Sequence, residues 1–124
     1  MYSFIIKDCL SDDQILLCLT SCFKDNNISI TAFDAKVNKQ EDILFERQLI
    51  KGDFCVQLFL YTKIALEMEK VAEFFCRDLN TEVLISDNDP NPFAWTLITE
   101  RGKRVVYQKI DEDDEALFLI SEQY

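Results

Sequence analysis

Hydrophobic and polar positions alternate with two different periods along the chain, and the changes of period mark its elements. Residues 2–7 form an apolar run that reads as a partly buried strand. Leu10-Ser11-Asp12-Asp13-Gln14-Ile15 has the chemistry of a helix start. Ser11 can cap, Gln14 can return the bond, Leu10 and Ile15 can staple, and the two aspartates suit the positive end of the helix dipole. This helix is expected to run to about Lys24 and to close at Asp25-Asn26-Asn27. Residues 28–37, 43–50 and 54–61 read as three further strands, the last apolar on both faces and so suited to a central place in a sheet.

The clearest helical pattern spans 62–79, where Ile64, Ala65, Met68, Val71, Ala72, Phe75, Cys76 and Leu79 form one apolar stripe. Beyond it, 81–86 reads as a strand, 87–92 as an acidic turn, and 93–99 with 104–110 as a hairpin reversing at Arg101-Gly102. That reversal sets Glu100 opposite Lys103, Trp95 opposite Gln108 and Phe93 opposite Ile110. One hairpin face then carries Phe93, Trp95, Leu97, Val106 and Ile110 toward a core, and the other carries Thr96, Glu100, Lys103, Tyr107 and Lys109 toward water. A short apolar run at 116–121 supplies a last strand. The order strand, helix, three strands, helix, three or four strands predicts an α+β fold with two helices packed on a largely antiparallel sheet.

A chain of 124 residues with 48% apolar content suits one core, so residues 1–124 are expected to form a single domain. No apolar run approaches the roughly 18 residues of a membrane span, and the first eight residues lack the basic start and long apolar centre of a signal peptide. A cytoplasmic protein without membrane contact is expected. Five cysteines, Cys9, Cys18, Cys22, Cys55 and Cys76, sit among apolar neighbours and read as small buried hydrophobes of a reducing compartment, not as a disulfide framework.

Charge changes the picture most. Residues 78–100 hold five acids (Asp78, Glu82, Asp87, Asp89, Glu100) and no base, and residues 111–124 hold six, Glu122 and the run Asp111-Glu112-Asp113-Asp114-Glu115, again with no base. The other 12 acids face 13 bases, so the whole net charge of −10 resides in these two segments. The hairpin brings the turn ending at Pro92 and the 111–115 run to the same end. Carboxylates held together repel one another, and a cationic partner relieves that repulsion. A pI near 4.4 argues against direct nucleic-acid binding and against anionic membrane surfaces.

Catalytic chemistry finds little footing. With no histidine, imidazole-based hydrolases and His-ligated zinc are excluded. Paired carboxylates can serve as acid and base only in a cleft that raises one pKa, and acids placed in loops give no sign of one, so no enzyme is expected. Asp87-x-Asp89-x-Asn91 imitates the opening of a calcium loop, but position six is Pro92 and position twelve Ile98, where Gly and Glu are needed. Cys18 and Cys22 lie one helical turn apart without a matching pair, which favours core packing over a metal site. No cofactor or metal is expected. The acidic run also has a plain reading as a solvated loop that aids solubility.

The stretches Phe74-Phe75-Cys76-Arg77-Asp78-Leu79, Val83-Leu84-Ile85-Ser86-Asp87 and Asn91-Pro92-Phe93-Ala94-Trp95-Thr96-Leu97-Ile98 resemble immunity proteins of bacterial polymorphic toxin systems, the partners encoded with contact-dependent growth inhibition and Rhs-type toxins. The likeness covers the C-terminal third; the first 60 residues carry none. It implies a cytoplasmic, non-catalytic protein that binds a cognate basic toxin domain, in particular a nuclease, through an acidic surface. On this chain the surface would comprise Asp87, Asp89, Asp111, Glu112, Asp113, Asp114 and Glu115, with Tyr107 as an aromatic anchor. Small acidic chains of this element order also resemble type III secretion chaperones, which dimerise and hold an effector segment. An acidic mimic of nucleic acid directed at another basic protein would use the same surface.

Overall fold

Ser11 caps the first helix reciprocally: its hydroxyl accepts from the Gln14 N–H at 3.2 Å, and the Gln14 side chain accepts from the Ser11 N–H at 2.9 Å. The computed structural model describes residues 1–34, 40–87 and 90–123. Among them the elements are β1 (Tyr2–Ile6), α1 (Asp12–Cys22), β2 (Ile30–Ala32), β3 (Ile43–Leu49), β4 (Lys51–Gly52), β5 (Val56–Thr62), α2 (Met68–Leu79), β6 (Val83–Ser86), β7 (Ala94–Thr99), β8 (Gly102–Lys109) and β9 (Leu117–Ser121). The expected α+β architecture is present, with both helices on one face of a sheet ordered β2-β3-β5-β1-β6-β7-β8-β9-β4. Its pairings are antiparallel except β2 with β3 and β4 with β9.

Both faces of the central strands are dry. Phe4 and Ile6 of β1, Val83 and Ile85 of β6, and Ile98 of β7 pack with α1 and α2, whose buried residues include Ile15, Leu19, Val71, Ala72 and Phe75. Their alternates Ile5, Leu84, Leu97 and Val106 join Phe54 in a second core on the opposite face, flanked by Ile50, Trp95, Phe118 and Ile120. This second core exists because the sheet closes on itself. Only Ile50 separates β3 from β4, yet β3 pairs with β5 near one end of the strand order and β4 with β9 at the other. One short stretch thus joins both ends of the strand order, and the alternation of β1 and β6, apolar on both faces, is what such enclosure requires.

Several expectations need correction. The second helix starts at Met68, six residues later than the span 62–79 that its apolar pattern predicts. Thr62 ends β5 with its hydroxyl accepting from Ile64 N–H at 3.0 Å, and the Tyr2 hydroxyl accepts from Leu66 N–H at 3.0 Å, which holds 63–67 out of the helix. The strand expected at 28–37 is ordered as a ladder only over Ile30–Ala32, and residues 35–37 lie outside the described residues. The two-residue strand β4 went unforeseen. The hairpin turns at Glu100-Arg101, with Thr99 opposite Gly102, so that Gly102 at φ +130° takes the conformation an L side chain resists. Trp95 therefore faces Val106, and Gln108 becomes its diagonal neighbour, accepting from the indole N–H at 3.2 Å. A shift of two residues leaves Leu97 and Val106 on the face of the second core, whereas the face expected to meet water is the helix side, where Ile98 is buried.

The cysteines divide. Cys18 and Cys76 are buried as expected and Cys22 is half-buried, but Cys9 and Cys55 form a disulfide with Cα atoms 5.1 Å apart. Sequence separation of 46 residues hid the pairing. The chain brings them together because Ile6 pairs with Val56, which sets Cys55 at the margin of the β1–β5 ladder where the chain leaves β1.

Candidate functional site

The strands β6, β7 and β8 lie side by side in register, with Ser86 opposite Trp95 and Ala94 opposite Tyr107, and β9 continues the ladder with Leu119 opposite Lys109. The end of β6, the start of β7, the end of β8 and the start of β9 therefore share one end of the sheet. Asp87 and the run 111–115 leave the sheet there, separated by two strand spacings, roughly 10 Å. Asp89 lies outside the described residues.

Within the run the five acids have different roles. Asp111 Oδ1 accepts from the N–H groups of Asp113 at 2.8 Å and Asp114 at 3.3 Å, and Asp114 Oδ1 accepts from Ala116 N–H at 3.0 Å. These two half-buried carboxylates shape the loop in the way short acidic side chains commonly do. Glu112, Asp113 and Glu115 are exposed. Among the described residues no ion pair engages any of the five; the pairs formed are Lys7–Glu82, Arg47–Asp12, Lys70–Glu67, Lys103–Glu69 and Arg104–Glu122.

Asp87 and Tyr107 lie on another part of the same end. Extending the β6–β7 register by one residue sets Asp87 level with Ala94, whose other neighbour is Tyr107. Asp87 and Tyr107 are both half-buried, and they flank the small Ala94 on the helix-side face. Beside them an open groove of about 690 Å³ runs between the first turn of α2 and the β6–β8 surface. Ile85, Thr96, Val105 and Met68 give it an apolar floor, and Glu67, Glu69, Asp87, Lys103 and Arg104 a rim of both signs. Lys103 Nζ reaches Glu69 at 2.7 Å, a contact that raises the lysine pKa.

The remaining acids of the two acidic segments lie elsewhere. Glu82 pairs with Lys7 and Glu122 with Arg104, Glu100 is in the hairpin turn, and Asp78 lies near the end of α2, where its charge helps to raise the pKa of the buried Cys18 thiol. The negative end of the molecule therefore holds fewer carboxylates than the charge count alone implies, namely Asp87 and the 111–115 run, and among the described residues no ion pair engages the run.

Two side chains there were assigned to the core by alternation and are exposed: Phe93 at 37% and Ile110 at 60%. Phe93 follows Pro92 and Ile110 precedes Asp111, so each lies just past the ladder, beyond the reach of the second core. Position next to a turn was the available signal. Trp95 is half-buried and packs edge-on against Phe118 with ring centroids 5.8 Å apart.

The two buried thiols are held in the protonated form. Burial pushes the Cys18 thiol up strongly, with Asp78 adding to the shift, and burial pushes Cys76 up to about 11. Both stay protonated and unreactive near neutral pH. Among the described residues no group of three or more Cys, Asp or Glu side chains is arranged to hold a metal ion, and no helix is long and apolar enough to cross a membrane. No family model, curated protein or solved structure matches this chain.

Proposed function

We propose that this protein is an immunity protein of a bacterial toxin system, acting without catalysis in the cytoplasm by binding and neutralising a cognate basic toxin domain, in particular a nuclease. The observation that carries this reading is the strand order β6-β7-β8-β9, which delivers Asp87 and the 111–115 run to one end of the sheet with the run free of internal ion pairs among the described residues. At a separation of ~7 Å two carboxylates in water repel by only about 0.6 kcal/mol, so the cluster burdens folding little. The same charges act together on an approaching cationic surface, where they raise the rate of encounter and compete with phosphate for its lysines and arginines. Phe93 and Ile110 supply apolar contact area within the acidic rim, the combination that binding sites use at their centre.

The test is coexpression with the small basic domain encoded in the neighbouring reading frame. A stoichiometric complex and protection of the host from that domain are expected; toxicity unaltered by this chain contradicts the reading. The groove beside α2, with Val105 43% exposed on its floor, favours a second reading as a secretion chaperone that holds an extended effector segment. Size-exclusion chromatography separates the two: a dimer that binds an unfolded peptide supports the chaperone, and a complex with a folded domain supports immunity.

A further inference from the structure

We infer that the Cys9–Cys55 pair is a solvent-accessible redox clip that ties the β1–α1 connection to the start of β5. Three observations converge on it. Cys9 is exposed and Cys55 half-buried, so small thiols and disulfides reach the bond, whereas Cys18 and Cys76 are fully buried and Cys22 is half-buried with its thiol also pushed up by burial and Asp78. Cys55 is fixed independently of the bond, its N–H donating to Ile6 carbonyl at 3.1 Å and its carbonyl accepting from Ile50 N–H at 2.8 Å. Cys9 lies in the short passage between β1 and α1, which is also tied by Lys7 N–H donating to Glu82 carbonyl at 3.0 Å, the Lys7–Glu82 ion pair at 3.3 Å, a long bond from Asp8 N–H to Thr81 Oγ1 at 3.4 Å and the Leu10 side chain in the core. One partner is thus held by the sheet with or without the bond, and for the exposed Cys9 the bond adds a covalent tie to the contacts of its neighbours Lys7, Asp8 and Leu10.

Opening consumes two equivalents of a small thiol such as glutathione. Its thiolate attacks the exposed Cys9 sulfur, the S–S bond breaks, and Cys55 leaves as a thiolate that takes up a proton. A second thiolate attacks the small-molecule sulfur of the mixed disulfide, releasing Cys9 as a thiol and leaving oxidised glutathione. The protein bond gains two electrons and the two small thiols lose them. Oxidised glutathione drives the reverse sequence. The sheet ladders stay intact, while residues 8–10 gain freedom and the start of α1 is held less firmly.

The experiment equilibrates the full chain in glutathione buffers of graded redox ratio, quenches with acid, alkylates, and reads each cysteine by mass. Cys9 and Cys55 are expected to titrate together in one two-electron transition while Cys18, Cys22 and Cys76 remain thiols throughout. Free Cys9 and Cys55 at the oxidised limit, a persistent glutathione adduct on Cys9 there, or any other pairing overturns the inference. Melting of the same samples is expected to show the oxidised form higher by on the order of 10 °C. Cys9→Ser should melt with the reduced wild type at every ratio, and amide exchange at Cys9 and Leu10 should quicken on reduction. Equal melting of oxidised and reduced wild type, or a redox-dependent Tm in Cys9→Ser, overturns it.

Discussion

Gly52 lies flat against the backbone of Phe118, with no room for a Cβ between them. The contact joins β4 to β9 and so closes the sheet around the second core; Asp53 extends it, its N–H donating to Phe118 carbonyl at 2.8 Å and its carboxylate accepting from Ile120 N–H at 3.0 Å. Gly52 also has φ +120°, so Gly52→Ala is both strained and obstructed. A loss of roughly 2–4 kcal/mol in denaturant unfolding is expected. Gly102→Ala is the control: at φ +130° it is strained, but a Cβ there meets nothing within 4 Å, so its cost should be about 1–2 kcal/mol. Equal effects of the two substitutions would show that backbone strain alone, without the Phe118 contact, accounts for Gly52.

Asp111 separates structure from charge inside the acidic run. Asp111→Ala removes the acceptor of two backbone N–H groups and is expected to cost about 0.5–1.5 kcal/mol, whereas Asp111→Asn keeps an oxygen in place and should stay within about 0.5 kcal/mol of wild type. Urea unfolding of both variants checks this. Equal loss in the two would mean that the negative charge, and not the hydrogen bonding, holds the loop.

Alkaline pH should weaken the fold through Cys76. Its buried thiol, donating to Ile98 carbonyl at 3.1 Å, has its folded pKa raised from 9.0 to about 11. The unfolded chain therefore ionises first. This contribution is constant below about pH 9 and is lost between about pH 9 and 11, at up to about 1.4 kcal/mol per pH unit. The stability difference between wild type and Cys76→Ala should narrow across that window, as measured by unfolding at fixed salt. A difference that stays level from pH 8 to 11 contradicts the assignment.

Local chemistry was legible in the sequence, and closure was not. Ser11 with Gln14 marked the start of α1 correctly because a capping box involves only neighbouring residues. The apolar stripe of α2 was right in its last three turns; its beginning failed because the Tyr2 hydroxyl, far away in sequence, holds Leu66 N–H outside the helix. Alternation placed Leu97 and Val106 in a core, but it carries no information on where a ladder ends, which is why Phe93 and Ile110 were expected inside. Lys51-Gly52 reads as a turn, and only the approach of Phe118 makes it a strand. Of the candidate surface, the gathering of Asp87 with the 111–115 run followed from hairpin geometry. The roles of Asp111 and Asp114 in shaping their own loop, and the pairing of Glu82 and Glu122 with bases, required coordinates.

Rapid mixing with the basic toxin domain proposed as the partner is the most direct test of the acidic end as a docking surface. The triple variant Glu112→Gln, Asp113→Asn, Glu115→Gln removes the exposed charges and leaves Asp111 and Asp114 to hold the loop. At low ionic strength its association rate should fall about tenfold or more below wild type, with the two rates converging near 0.5 M salt as screening removes the attraction. An association rate that is the same for variant and wild type at every salt concentration would contradict the assignment of this end of the sheet to the partner.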